Sequence, residues 1–255
     1  MRVAIIGYGN LGRAIAKALA KKHEIIATKR ELNAKSKLKR IEVTTNNAYA
    51  VKNSECVILT VKPKDLMLVL DEIKDYVSNK LVISFVAFVK LHEIKSILKQ
   101  AKVVRAMGNV GAEIGKSFTA YYVEYVDEET DKEIFNLLSL TGEVHKAKSE
   151  EELDLMTIFS GSAPAFIAKL IDAFIYAGLK CGLNAELSKK AALSVFNSTS
   201  ELLRKESIDG LIKRITTPAG TTIEGLVTME KHSVEFGIMD SIVKAVEKIS
   251  KFKKG

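Results

Sequence analysis

The feature that most constrains this chain is Gly7-Tyr8-Gly9-Asn10-Leu11-Gly12. The run directly follows the apolar segment Val3-Ala4-Ile5-Ile6. It leads into Leu11, Ile15, Ala18 and Leu19, which recur at helical spacing. Strand, glycine turn and helix in that order make the first βα unit of a dinucleotide-binding fold. Gly7 permits the tight turn, Gly9 lets backbone approach a pyrophosphate, and Gly12 lets the helix pack closely on the strand. Ile25-Ile26-Ala27 supplies the next strand at the expected distance. All six residues from Gly7 to Gly12 are therefore candidate cofactor contacts.

The end of the second strand selects the dinucleotide. A site for NAD places Asp or Glu there, to accept from the ribose 2′-OH. Here the residues are Thr28-Lys29-Arg30. They offer a hydroxyl and two cations to a 2′-phosphate, and no carboxylate at that strand end opposes it. NADPH is the expected cofactor and NADH the weaker alternative. Val61-Lys62-Pro63 follows the fourth strand on the same side of the sheet and is expected to border the same crevice.

Short apolar runs continue at Ile41–Thr44, Cys56–Val61, Leu81–Phe85 and Val103–Arg105, with helical patterns between them. Ala120–Val126 and Glu143–Lys146 read as later strands. This alternation predicts an α/β domain with a parallel sheet covered on both faces. After Glu150 helical stretches take over: Glu151–Phe159, Pro164–Cys181, Glu186–Arg204, Thr221–Lys231 and Val234–Phe252. The expected division is a Rossmann-type dinucleotide-binding domain over residues 1–148 and an all-helical dimerisation and substrate domain over 149–255. The helix from Pro164 is apolar around much of its circumference (Phe166, Ile167, Leu170, Ile171, Phe174, Ile175). Such a surface demands burial, which predicts a homodimer through the helical domain, with a larger homo-oligomer also open.

Composition narrows the partners. The chain has 255 residues and a net charge of +8, but no arginine-rich tract or nucleic-acid recognition motif. Its lysines gather at 29–40 and 251–254 and otherwise scatter over helical faces. A small anionic molecule is the expected partner, and nucleic acid is not. Two cysteines and four widely separated histidines give no metal-ligand spacing. The strand that opens at Arg2 leaves no room for a signal peptide, and no apolar run is expected to reach membrane-helix length. A cytoplasmic protein is the expectation.

A second site is readable in Ile215-Thr216-Thr217-Pro218-Ala219-Gly220-Thr221-Thr222-Ile223. Pro218 presets a turn, and the apolar pattern after it reads as a helix. A helix opening on small residues presents unpaired N–H groups and a positive dipole end to an anion.

Taken together these residues resemble the Δ1-pyrroline-5-carboxylate reductase family. The resemblance rests on Gly7–Gly12, Val61-Lys62-Pro63, Arg105-Ala106-Met107-Gly108-Asn109, Ser160-Gly161-Ser162-Ala163-Pro164-Ala165-Phe166 and Thr217-Pro218-Ala219-Gly220-Thr221-Thr222-Ile223. It implies hydride transfer from NADPH to a cyclic imine, giving L-proline. It also implies a substrate carboxylate held by Ala219, Gly220, Thr221 and Thr222, with Thr222 the catalytic residue beside the ring nitrogen. By the same resemblance Asn109 lies beside the nicotinamide, and Glu150 and Glu206 lie near the substrate. The chain departs from the family pattern at Gly108, Gly111, Ala163 and Ala219, at the bulkier turn Ser84-Phe85-Val86-Ala87-Phe88, and at Glu224. Phe85, Phe88 and Gly108 fall where the family places the nicotinamide. They leave open reduction of pyrroline-2- or piperideine-2-carboxylate, and an NADPH-binding regulator without turnover. A β-hydroxyacid dehydrogenase relative would need a catalytic lysine in a glycine-rich context, which Lys169, Lys180, Lys189 and Lys190 lack.

Overall fold

The computed structural model describes residues 1–31 and 39–252. Parts of both lysine-rich stretches, 32–38 and 253–255, lie outside the described residues. The chain forms two compact units, Met1–Ser162 with the chain from Ile249 onward, and Ala163–Lys248.

The first unit is built on one eight-stranded sheet. Its elements are β1 (Arg2–Ile6), α1 (Asn10–Leu19), β2 (Glu24–Thr28), β3 (Ile41–Thr44), α2 (Asn47–Lys52), β4 (Cys56–Leu59), α3 (Pro63–Ile73), β5 (Leu81–Ser84), α4 (Leu91–Ile97), β6 (Lys102–Met107), β7 (Ser117–Tyr122), α5 (Glu128–Leu138), β8 (Gly142–Lys146) and α6 (Glu150–Met156). The strand order is β3-β2-β1-β4-β5-β6-β7-β8. β1 lies between β2 and β4, so the chain reverses its direction of travel across the sheet there. Such a switch point opens a crevice at the carboxyl ends of the strands. β1, β4 and β5 read as continuous apolar runs because both faces are covered. One core cluster gathers Ile5, Ile15, Leu19, Ile58 and Ile83 on one side of the sheet. A second gathers Ile6, Leu59, Leu66, Leu70 and Ile94 on the other.

One sequence expectation changes here. The sheet is not wholly parallel, since β7 runs antiparallel to β6. The link from Met107 to Ser117 holds only a short 3-10 turn, Val110–Ile114, ending at left-handed Gly115 (φ 70°). A connection that short cannot make a parallel crossover. The first compact unit runs on to Ser162, past the expected division near Lys148. The segment read as the start of the helical domain is tied to the sheet: Leu153 packs with Met107, Ala120 and Ala147.

The second unit contains α7 (Ala163–Lys180), α8 (Ala185–Leu202), α9 (Ile208–Ile215), α10 (Thr221–Lys231) and most of α11 (Val234–Phe252). α9 was not anticipated. Its sequence signal is Ser207, whose side chain accepts from the Gly210 N–H at 3.1 Å and caps the helix. α7 buries none of its eighteen residues, and Ile167, Phe174 and Tyr176 stand exposed. The expectation about apolar length also needs correcting. α6, a π-helical segment Thr157–Ser162 and α7 form one 31-residue helix, Glu150–Lys180, long and apolar enough by length and composition to cross a membrane. Its mid-helix charges Lys169 and Asp172 pair at 2.9 Å.

Candidate active site

The crevice at the switch point is a cleft of about 680 Å³. Gly7, Tyr8, Gly9, Thr28, Lys29, Arg30, Val61 and Lys62 line it, as the sequence led us to expect. The glycine turn is fixed by backbone contacts. Gly7 takes φ +104°, and the Thr28 carbonyl accepts from Tyr8 N–H at 2.7 Å. The Thr60 hydroxyl donates to the Gly7 carbonyl at 2.7 Å. A side chain at Gly12 would collide with that same carbonyl and with Thr60 Oγ1. At Gly9, by contrast, an added Cβ would meet nothing within 4 Å. The close packing belongs to Gly7 and Gly12, and the open approach to Gly9.

These residues fit a dinucleotide. Gly9 caps α1 without a side-chain hydrogen bond, and the first turn holds no acid, so its N–H groups and dipole face an approaching pyrophosphate unopposed. Asn10, Leu11, Gly12 and Pro63 do not line the cleft wall. The Asn10 side chain accepts from Arg13 at 3.0 Å, Leu11 packs on the core, and Pro63 is the first residue of α3. The expectation that no carboxylate opposes a 2′-phosphate is corrected. Glu31, Asp65 and Glu72 also line the cleft, and Asp65 Oδ2 pairs with Arg30 at 2.5 Å. Asp65 sits in the first turn of α3, which the order β2-β1-β4 brings beside the end of β2. Reading the β2 terminus alone could not find it. Glu72 accepts from Asn47, another unanticipated lining residue, at 2.6 Å.

Asn109, after β6, has both ends of its amide engaged. Oδ1 accepts from Gly111 N–H at 2.7 Å, and Nδ2 donates to the Ser160 carbonyl at 3.2 Å. Asn109 thereby ties the end of β6 to the π-helical segment. Gly108 before it is close-packed, since a Cβ would lie 2.8 Å from Thr119 Oγ1. This local crowding accounts for the departure from proline. In the preceding turn Phe88 takes φ +68°, a left-handed conformation that a bulky side chain rarely adopts.

Glu150 is engaged by residues of its own unit. Its Oε1 accepts from Arg105 at 2.7 Å and from the Leu91 N–H at 2.8 Å. Arg105 is 1% exposed and donates also to Asp154 at 2.9 Å, while Lys90 lies 3.4 Å from both carboxylates. Burial alone would raise the Glu150 pKa. Arg105, the Leu91 N–H and Lys90 outweigh it and hold the pKa below the ordinary value. The family-like Arg105 thus pins α6 to β6. Glu206 is likewise engaged, with Arg214 at 2.5 Å.

In the second unit, the turn Thr217-Pro218-Ala219-Gly220 closes with Gly220 N–H donating to the Thr217 carbonyl at 3.0 Å. Ala219 adopts φ +56°, which explains why a glycine suits that position. Gly220 caps α10 without a side-chain hydrogen bond, and Thr221 and Thr222 occupy its first turn. Thr222 is half-buried and Thr221 exposed. The N-terminus of this eleven-residue helix keeps its donors for an anion, although Glu224 follows in the same turn.

Comparison with known proteins bears on both ends of the chain. Residues 150–252 match the family described as "Pyrroline-5-carboxylate reductase dimerisation", and residues 2–88 match "NADP oxidoreductase coenzyme F420-dependent". The pyrroline-5-carboxylate reductase of Aquifex aeolicus is 31% identical, over 98% of this chain and 97% of its own. That of Synechocystis is also 31% identical, over 95% and 94%. Among solved structures, Plasmodium falciparum pyrroline carboxylate reductase with NADP bound superposes with a TM-score of 0.90 at 25% identity, over 99% of this chain and 98% of that one.

Proposed function

The chain belongs to the pyrroline-5-carboxylate reductase family, and on that premise we propose that it reduces Δ1-pyrroline-5-carboxylate to L-proline with NADPH. The observation that carries the reading is the uncapped N-terminus of α10 behind the Thr217–Gly220 turn. It offers a carboxylate the same kind of N–H cradle that α1 offers a pyrophosphate. Bound NADPH supplies the hydride that adds to the C=N carbon. The chain's part is to hold the imine carbon about 3–3.5 Å from the hydride donor and to keep it oriented. The N–H groups at the start of α10 bind the carboxylate. The Thr222 hydroxyl accepts from the protonated ring nitrogen and orients it, a role suited to a neutral oxygen. Glu150 and Glu206 act indirectly in this reading, by fixing Arg105 and Arg214.

The enzyme is a homo-oligomer, and the proposed unit is a dimer in which a second copy covers the exposed face of α7. That burial gives the apolar length of Glu150–Lys180 a use in a cytoplasmic enzyme. The residues Phe85, Phe88 and Gly108, which depart from the family pattern where it places the nicotinamide, are the ground for one second reading, reduction of a cyclic imine with a 2-carboxylate.

NADPH oxidation with pyrroline-5-carboxylate, pyrroline-2-carboxylate and piperideine-2-carboxylate tests both. The 5-carboxylate should be the best substrate by kcat/KM. Thr222→Ala should lower that value by about 10²-fold, as loss of a positioned polar partner does, with thermal stability unchanged. Preference for a 2-carboxylate would replace the substrate. NADPH binding without any turnover would leave a regulator.

A further inference from the structure

The Arg30–Asp65 pair lies across the cofactor cleft. Arg30 extends from the loop after β2, and Asp65 stands in the first turn of α3. The Arg30 side chain is 77% exposed and the Asp65 side chain 20%. Both line the same cleft as Gly7, Gly9 and Lys62. An exposed guanidinium held at 2.5 Å by a better-buried carboxylate has its fork directed by that carboxylate. Helix-dipole stabilisation accounts for an acid in the first turn of α3. It does not account for a partner drawn from the loop after β2, where a dinucleotide fold meets the adenosine ribose.

We infer that Asp65 is a specificity-determining residue that competes with the 2′-phosphate of NADPH for Arg30, and so sets how strongly the site prefers NADPH over NADH. The inference rests on the cofactor reading above and concerns the adenosine end of the cleft alone. A 2′-phosphate brings about two negative charges and suits a guanidinium fork. To gain Arg30 it must displace Asp65 or share the arginine with it, and the remaining carboxylate repels it. Lys29 and Lys62 add positive charge to the same wall, while Glu31 and Glu72 subtract from it. Glu72 is already bonded to Asn47. A 2′-hydroxyl makes no claim on Arg30 and feels no such repulsion. Asp65 therefore penalises one cofactor and is close to neutral toward the other. A chain with cations after β2 is in this way kept from extreme NADPH selectivity.

The test is equilibrium binding of NADPH, NADH, 2′,5′-ADP and 5′-AMP to the full-length oligomer, for wild type, Asp65→Asn, Arg30→Ala and the double variant. Asp65→Asn is nearly isosteric, and Asp65→Ser serves as the second variant should it fold poorly. NADPH and 2′,5′-ADP should bind Asp65→Asn about two- to fivefold more tightly, the range expected for an exposed ion pair. NADH and 5′-AMP should change by less than about 1.5-fold, the small end of that range. Arg30→Ala should weaken the two 2′-phosphate ligands, and adding Asp65→Asn to it should recover little. Equal tightening of all four ligands would overturn the inference, leaving only general electrostatics. So would weaker or unchanged NADPH binding to Asp65→Asn. Because the readout is binding, a protein that reduces no imine yet shows this pattern refutes the proposed reaction and keeps Asp65. An active reductase lacking the pattern does the reverse.

Discussion

The two units of this chain use apolar residues in opposite ways. In the first, Val3–Ile6, Cys56–Leu59 and Leu81–Ser84 are buried throughout, and helices close both faces of the sheet. In the second, α7 is the more apolar element to the eye, yet none of its eighteen residues is buried, and none of α10 is either. Hydrophobicity alone therefore does not say where a core is. A parallel sheet finds its cover in its own crossover helices. A small set of helices carrying apolar residues on several sides needs a surface from elsewhere. The match of residues 150–252 to a dimerisation family supports the proposal that another copy supplies that surface.

The contrast predicts that removing a polar group destroys the first unit, whereas adding one disassembles the second. Arg105→Ala is the largest effect. It leaves Glu150 and Asp154 without their buried cation, and breaking a buried pair in that way costs about 3–5 kcal/mol. Urea denaturation followed by circular dichroism should show the loss, and a change below about 1 kcal/mol would mean the cluster is solvated. Acid should erode the same contribution in wild type. The Glu150 pKa is depressed from its unfolded value, so its stabilisation is complete above the ordinary carboxylate range and fades as pH falls through the folded value. Next in size is Ile167→Glu. Ile167 is 47% exposed in the single chain, so the substitution should leave folding and NADPH binding intact. A buried charge at the subunit contact should raise the dissociation constant by about 30-fold or more, the scale of an interface hot spot. Sedimentation showing an unchanged oligomer would move the interface off this face of α7.

Much of this contrast was legible without coordinates. The glycine turn of the first βα unit could be placed because its strand, turn and helix are contiguous, and the Thr217–Thr222 turn because Pro218 and Gly220 mark it. The bounds of α10 and α11 follow from apolar periodicity alone. What escaped were pairings between distant segments. The contact of Glu150 with Arg105 escaped because the two are 45 residues apart, one on a strand and one on a helix. Asp65 escaped because nothing local reveals that α3 begins beside the end of β2. The acidic run at 150–152 gives no sign of the contacts by which Arg105 fastens Glu150 and Asp154 to the sheet.

The smallest prediction concerns the turn that presents Thr222. Ala219 holds φ +56°, a conformation costing an L-residue about 1–2 kcal/mol and glycine almost nothing. Ala219→Gly relieves that strain but also frees the unfolded chain, which returns about 0.4–1 kcal/mol. The difference should stabilise the second unit by up to about 1 kcal/mol and raise its melting temperature by about 2–4 °C. Gly220 next to it has no such latitude, since a Cβ there would collide with Thr217 Oγ1. Gly220→Ala should push the turn away from the start of α10 and raise the KM for the imine, with NADPH binding in the first unit unchanged. The paired substitutions thus separate backbone strain, which the turn tolerates at Ala219, from the close approach that shapes its anion cradle at Gly220. Destabilisation by Ala219→Gly would show that the left-handed residue is held by contacts of its methyl group and not merely tolerated.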